Sequence, residues 1–274
     1  MGANGPLMSL LFVGDVVGRG GRQAVKRMVP YLKQKYNCSF CIVNAENSAN
    51  GAGITKSCLD DMNVADVFTA GDHIWDQKTL ESEISGIKNL LRPANMSKLQ
   101  PGKGWNIFRN PAGGEVAVIS LLGKVFMRDS TYCPFETAEN ILTQIPITCK
   151  CIFVDFHAEA TSEKAAMAWF LDGRVTAVIG THTHVQTADA RILPKGTAML
   201  SDVGMVGAAD SILGRDVADV VRKFRTGMPT RLNVAEENIR LDAAVLTYEL
   251  NTGKAVSLIP VSEIFNPNQE YIDL

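Results

Sequence analysis

No uninterrupted apolar run in this chain nears the roughly 18 residues that a membrane-spanning helix needs, so the sequence reads as a soluble protein without a membrane partner. Charge of one sign is missing too. With 27 Lys and Arg against 29 Asp and Glu, the net charge is −2 and the pI about 6.1. That leaves no basic field to hold duplex nucleic acid by counterion release, while a small phosphorylated ligand stays open. The start, MGANGPLMSLLFVG, lacks the charged segment and long apolar stretch of a secretory signal, which predicts a cytoplasmic protein. Residues 1–7 read as a leader ahead of a start at Met8, with Pro6 breaking the myristoylation pattern. Low-complexity segments, repeats and a convincing linker are absent, so residues 8–274 are expected to form one domain. At 46% hydrophobic and 20% charged, the composition is that of an ordinary folding chain. Cysteine is modest: six residues, at 38, 41, 58, 133, 149 and 151. The pairs in CSFC and CKC flank apolar strands, which favours reduced, buried thiols that bind no zinc.

What is present is a regular alternation of apolar strands and helical patterns. Strands are predicted at 9–14, 39–44, 66–71, 115–123, 151–157 and 175–180. Helices are predicted over 21–36, where Pro30 should kink or break the pattern, and over 55–63, 77–85, 136–144 and 161–171. Successive βα units imply a parallel sheet with crossover helices. Residues 86–115, rich in Pro and Gly, read as loops and short strands. After 196, GTAMLSDVG, RLDAAVLTYEL and KAVSLIPVS read as antiparallel strands, with NTGK as a hairpin turn. The expected class is α/β, with two packed sheets flanked by helices.

Histidine is scarce, yet two of the four stand two positions apart in GTHTHV, after an apolar strand. Imidazoles at such spacing can converge on one ion at a strand end; the competing reading is a polar loop whose histidines face water. The residues just past each strand decide between them, since ligands in open α/β sheets sit beyond the carboxyl ends of the strands. Asp15 comes after the first strand, Glu46 and Asn47 after the second, Asp72 and His73 after the third. His157 closes the strand near 151–156, and His182 and His184 come after 175–180. Every histidine therefore lies at a strand exit. Carboxylates, an amide and imidazoles suit Mn²⁺, Fe²⁺ or Zn²⁺. The set exceeds what one four-coordinate ion takes, and a carboxylate can bridge two ions about 3.5–4 Å apart. Arg19, in GRGG, is either a phosphate contact or a solvated loop residue.

In this order, GDVVGRGG, NAENSANGAGIT, GDHIWD, DFHAEATSEK and GTHTHVQTAD resemble the calcineurin-like metallophosphoesterases, and among them the bacterial YmdB-type cyclic-nucleotide phosphodiesterases. The similarity runs from about Leu10 to about Lys254 and includes LPKGTAMLSDVGM, GRDV and FRTGMP. It implies a four-layer α/β/β/α sandwich and two divalent ions per chain, Fe²⁺ or Mn²⁺ with Zn²⁺ as the alternative. One ion would be held by Asp15, Glu46, Asn47 and His184. The other would be held by Glu46, Asp72, His157 and His182, with Glu46 bridging. A metal-bridging hydroxide would attack phosphorus, and His73 would protonate the leaving oxygen of a small phosphodiester, a 2′,3′- or 3′,5′-cyclic nucleotide. The resemblance also implies a homo-oligomer, dimer or tetramer.

One position departs from the pattern: where the family has Asn, this chain has Asp72, so three carboxylates would face two dications. Reduced activity or a shifted metal preference would result. The alternative outside catalysis is a metal-stabilised regulatory or scaffold protein that binds a phosphorylated ligand or a protein partner with little turnover. A lipase-like serine hydrolase is excluded because Val16 stands where the serine should come after Asp15. A TIM-barrel hydrolase would place its His-x-His pair on the first strand, not at 182 and 184.

Overall fold

Leu7–Val13 begins the chain's apolar framework, fully buried from Leu10 onward and two residues longer at its start than predicted. The structure is a computed structural model describing residues 5–127, 131–269 and 271. Of the expected leader, residues 1–4 lie outside this description, while Leu7 pairs with Glu249.

Two sheets carry the fold. The first orders its strands as Asp15–Val16, Met205–Ala208, Ile239–Glu249, Leu7–Val13, Phe40–Asn44, Val67–Thr69 and Leu90–Leu91, and Ala255–Ile264 also pairs with Ile239–Glu249. The second orders Arg191–Ile192, Ala198–Leu200, Ala177–Thr181, Cys151–His157, Glu115–Leu122 and Trp105–Arg109. Leu7–Val13, Phe40–Asn44 and Val67–Thr69 are parallel neighbours, as are Glu115–Leu122, Cys151–His157 and Ala177–Thr181. Their carboxyl ends thus open on a common edge within each sheet.

Alternation of side chains along these strands produces three apolar clusters. Leu10, Phe12, Phe40 and Ile42 of the first sheet meet Val118, Phe153, Ala177 and Ile179 of the second, with Phe12 and Phe153 edge to face at 4.8 Å. The odd-numbered partners Leu11 and Val13 face the other way, onto Val25, Met28 and Leu32 of the helix Gly18–Lys35. Ile119, Val154 and Phe156 likewise leave the second sheet to pack on Ala138 of the helix Pro134–Leu142 and Met167 of the helix Thr161–Phe170. Each such side chain contributes roughly 1.5–3 kcal/mol on burial, so the two sheets and their helices are locked face to face.

Several boundaries differ from the sequence expectation. GRGG is the first turn of the helix Gly18–Lys35, not a turn before it. Its glycines let the helix lie on the sheet: a Cβ on Gly21 would come within 2.4 Å of the Val206 carbonyl. That helix also continues through Pro30 for another five residues. The predicted helix over 77–85 is present in part, as Leu80–Glu83 running on into a 3₁₀ turn at Ile84–Gly86, and it is preceded by a separate 3₁₀ turn, Asp72–Trp75, that the sequence pattern does not predict.

Downstream of 196 the antiparallel hairpin of Ile239–Glu249 with Ala255–Ile264 is present. The segment expected as one strand at 196–204, however, yields Ala198–Leu200, parallel to Ala177–Thr181. A separate strand, Met205–Ala208, comes after it, parallel to Asp15–Val16 and antiparallel to Ile239–Glu249. Between them and the hairpin lies a helix that is not among those predicted, Val217–Thr226. Val217, Val220, Val221 and Phe224 share one face at helical spacing, but only Val220 is buried; the caps are Asp216, accepting from the Asp219 amide, and Gly227, left-handed at φ 66°. No described helix is long and apolar enough to cross a membrane.

Candidate metal centre

The first-sheet strands deliver three carboxylates. Asp15 stands two residues beyond Val13, with Oδ2 accepting the His182 amide at 3.0 Å and Oδ1 lacking any hydrogen-bond partner although fully buried. Glu46 is turned inward by Asn44, whose Oδ1 accepts the Glu46 amide at 3.2 Å. Its Oε2 is likewise buried without a hydrogen-bond partner, 3.2 Å from His157 Nε2. Asn47 is next, its amide nitrogen 3.0 Å from Glu46 Oε1 and 3.1 Å from His184 Nε2. A half turn of that amide would present Oδ1, the atom a hard cation takes. Asp72 opens the 3₁₀ turn, with Oδ1 3.2 Å from His157 Nε2 and 3.6 Å from His182 Nδ1.

From the second sheet come the imidazoles. His157 ends its strand with no exposed surface, and its Nδ1 lies 2.8 Å from Thr181 Oγ1, which donates in turn to Asp155 at 2.7 Å. That relay fixes Nδ1 as the proton-bearing atom and turns the Nε2 lone pair into the cluster. Beyond Thr181 the backbone twists sharply: φ is 106° at His182 and 62° at His184, values rare for residues with a Cβ. Buried side chains hold this bend. Asp202 Oδ2 accepts the Thr183 amide at 2.9 Å and the Lys164 ammonium at 2.7 Å, and Asp15 takes the His182 amide. Gln186 Nε2 donates to the carbonyls of Val203, Ala243 and Val261, tying the far end down. The His184 ring donates from Nδ1 to the Leu213 carbonyl at 3.1 Å, leaving Nε2 inward.

The predicted residues thus meet in two groups. One nitrogen or carboxylate oxygen from each of Glu46, Asp72, His157 and His182 lies within 4.8 Å of the others, and the same holds for Asp15, Glu46 and His184. Glu46 belongs to both, and Asn47 touches the second. His73 stands outside both groups, with Nδ1 2.8 Å from Asp76 Oδ2. Arg19 meets Glu236 at 2.8 Å, both largely exposed, and is not part of the cluster. All five buried cysteines and the partly buried Cys133 are free thiols outside the candidate groups.

Four residues important to this geometry are not apparent from the sequence: Asp202, Lys164, Thr181 and Asp76. Asp76 has a signal, since i and i+3 share a face of a 3₁₀ turn. Asp202 and Lys164 have none, because only the fold brings them together.

The electrostatics ask for a cation. Burial pushes the Asp15 carboxyl well above its usual range, and the neighbouring Glu46 charge adds to this. For Glu46 and Asp72, burial acts in the same direction but is outweighed by His157, and for Asp72 also by His182, which hold both low. His157 is lifted well above the ordinary imidazole range despite its burial, chiefly by Glu46, whereas burial lowers His184. A proton on His157 is a poor substitute for a dication when three carboxylates converge in a dry pocket. Space is reserved too: a Cβ on Gly71 would lie 2.1 Å from Glu46 Oε2 and 2.2 Å from the His157 ring. Buried carboxylate oxygens without partners, inward nitrogen lone pairs and that clearance together fit divalent metal.

Comparison with known proteins places these features in context. The sequence profile of the family described as YmdB-like protein matches residues 11–261. A 2′,3′-cyclic-nucleotide 2′-phosphodiesterase of Bacillus subtilis is 46% identical over 253 residues, covering 92% of this chain and 95% of that protein. Among solved structures, a hypothetical protein from Thermus thermophilus superposes with a TM-score of 0.87 at 35% identity, over 94% of this chain and 99% of the other. A phosphatase from Mycoplasma pneumoniae gives 0.88 at 32% identity, over 95% and 94%.

Proposed function

The chain belongs to the YmdB-like protein family, and from that premise we propose that it is a metal-dependent phosphodiesterase acting on small cyclic nucleotides. The observation that carries the reading is the position of Glu46, common to two ligand groups at the joined strand exits. Asp15, Glu46, Asn47 and His184 would hold one divalent ion, and Glu46, Asp72, His157 and His182 the other. Four layers, helices outside two stacked sheets, are the architecture that the three apolar clusters support. The 46% identity to the Bacillus enzyme favours a 2′,3′-cyclic nucleotide over a 3′,5′-cyclic one as substrate.

When bound, such ions supply positive charge for a phosphoryl group and acidify water enough to make it a nucleophile at neutral pH. The chain's own residues do the rest. Thr181 and the Leu213 carbonyl keep the His157 and His184 lone pairs inward, and Gly71 leaves the gap between Glu46 and His157 clear. His73, with Nδ1 engaged by Asp76, has Nε2 available to protonate the departing 2′-oxygen. Cleavage of that P–O bond leaves the phosphate on the 3′-oxygen.

The test is turnover of a 2′,3′-cyclic nucleotide and of an aryl phosphodiester by Mn²⁺-loaded protein. Asp15→Ala should abolish both activities. His73→Ala should retain metal and lose roughly 10²–10⁴-fold with the sugar leaving group, but much less with the aryl one. Substrate binding without turnover by the loaded wild type would overturn the enzymatic reading, and equal loss on both esters would remove His73 as the acid.

A further inference from the structure

Each of the three imidazoles in the cluster has its second nitrogen engaged, and the partners differ. His157 and His184 both point Nε2 inward and have Nδ1 tied, to Thr181 Oγ1 and to the Leu213 carbonyl. His182 is reversed. Its Nδ1 lies 3.0 Å from His157 Nε2 and 3.6 Å from Asp72 Oδ1, while its Nε2 faces outward, 3.0 Å from Glu159 Oε2.

Glu159 lies two residues past His157, in the short loop before the helix Thr161–Phe170. Its carboxylate is about half exposed and makes no ion pair with Lys or Arg among the described residues; His182 is its one ionic neighbour. The His157 ring is fixed by the buried Thr181 and the His184 ring by a backbone carbonyl, but the His182 ring is about one-fifth exposed, sits on a backbone at φ 106° and has only the Glu159 side chain at its outer nitrogen. A ring so placed can turn about its side-chain bonds unless something outside holds it.

We propose that Glu159 is a positioning residue for His182: it accepts the Nε2–H, and so fixes both the tautomer and the ring orientation that present the Nδ1 lone pair to the cluster. A carboxylate behind a ligating imidazole is the arrangement that orients metal-bound histidines, and removing one typically costs 10–100-fold in metal affinity. The inference rests on reading the cluster as a metal site.

Three proteins decide it: wild type, Glu159→Ala and Glu159→Gln, each titrated with Mn²⁺ alone by calorimetry. Long-range ¹H–¹⁵N spectra of the metal-free proteins report which His182 nitrogen carries the proton. In Glu159→Ala, affinity should fall about 10–100-fold for one ion, and His182 should pass from a single Nε2–H form to a mixture. Glu159→Gln, whose amide oxygen still accepts, should recover most of the affinity and the single tautomer. Wild-type affinity and tautomer in Glu159→Ala would overturn this role while leaving the metal site intact, as would a Gln variant no better than Ala. Wild type that takes up no Mn²⁺ would overturn the metal reading and this inference with it.

Discussion

Replacing Gly71 by alanine should damage the centre while leaving every group that could bind metal chemically unchanged. The new Cβ would lie 2.1 Å from Glu46 Oε2 and 2.2–2.3 Å from two atoms of the His157 ring, where real Cβ contacts rarely fall below 3.0 Å. Relief therefore requires a displacement of about 0.9 Å. Neither neighbour can give freely, because Glu46 and His157 are 1% and 0% exposed and His157 is pinned through Thr181 to Asp155. The φ of −120° at Gly71 is not left-handed, and the penalty weighed here is the clash of the added Cβ. Overpacking of this kind costs roughly 1–3 kcal/mol, a few degrees in Tm for a chain of this size. A misplacement near 1 Å at a reacting centre costs on the order of 10²-fold in rate. Gly71→Ala should thus remain folded, bind Mn²⁺ at least 10-fold more weakly and turn over a 2′,3′-cyclic nucleotide about 100-fold more slowly. Gly86→Ala, with nothing within 4 Å of its added Cβ, serves as the control and should match wild type in all three measurements. If Gly71→Ala kept full metal content and turned over within about 3-fold of wild type, the gap between Glu46 and His157 would have no role in the chemistry and the reasoning would fail.

Two further outcomes are expected. Asp72→Asn removes one carboxylate that His157 and His182 hold ionised; it should keep two ions per chain, release them to a chelator more readily and alter turnover or metal preference, whereas identical metal content, preference and kinetics would refute the charge argument. The buried thiols should make the fold alkali-sensitive. Burial pushes Cys38 and Cys151 up to about 12 and Cys41 higher still, so their contribution is complete below an unfolded thiol's pKa near 8.5 and is lost as pH climbs from there toward the folded values. Each thiol adds at most about 1.4 kcal/mol per pH unit to that loss. Urea unfolding at pH 8.5, 9.5 and 10.5 should show the decline, with a shallower slope in Cys41→Ala; stability flat over this range would count against burial as the cause.

Much of the centre is legible in the sequence because its residues occupy strand exits, and strand exits are set by local patterning. Val13, Asn44, Thr69 and Thr181 end apolar runs, so counting onward from them reaches Asp15, Glu46, Asp72 and His182. The same logic fails where pattern and burial part company. Asp72–Trp75, between the strand predicted to end at 71 and the helix predicted from 77, is a 3₁₀ turn that brings Asp72 to the cluster while burying Ile74, and four residues are too few for a helical pattern to register. Val217–Thr226 has helical apolar spacing in Val217, Val220, Val221 and Phe224, yet only Val220 is covered, so there pattern and burial disagree. Asp202 lies just past a three-residue strand like many aspartates, and only the proximity of Lys164, 38 positions away, distinguishes it.

That last pair bears on why the histidines converge at all. Holding non-glycine residues at φ 106° and 62° costs of the order of 1–3 kcal/mol each, and the strain must be balanced locally or the loop would relax and carry both rings out of the cluster. Here the balance is made of charge-assisted hydrogen bonds in a dry interior: the Thr183 amide, between the two rings, donates to Asp202, and the His182 amide donates to Asp15. Asp202 and Lys164, at 0% and 3% exposure, lie 2.7 Å apart, so each is buried against its opposite partner. Asp15 therefore has two duties, one oxygen holding the His182 backbone and the other facing the cluster unpartnered. The carboxylate most in need of a cation is thus also the one that places His182, so the first-sheet and second-sheet halves of the centre assemble together.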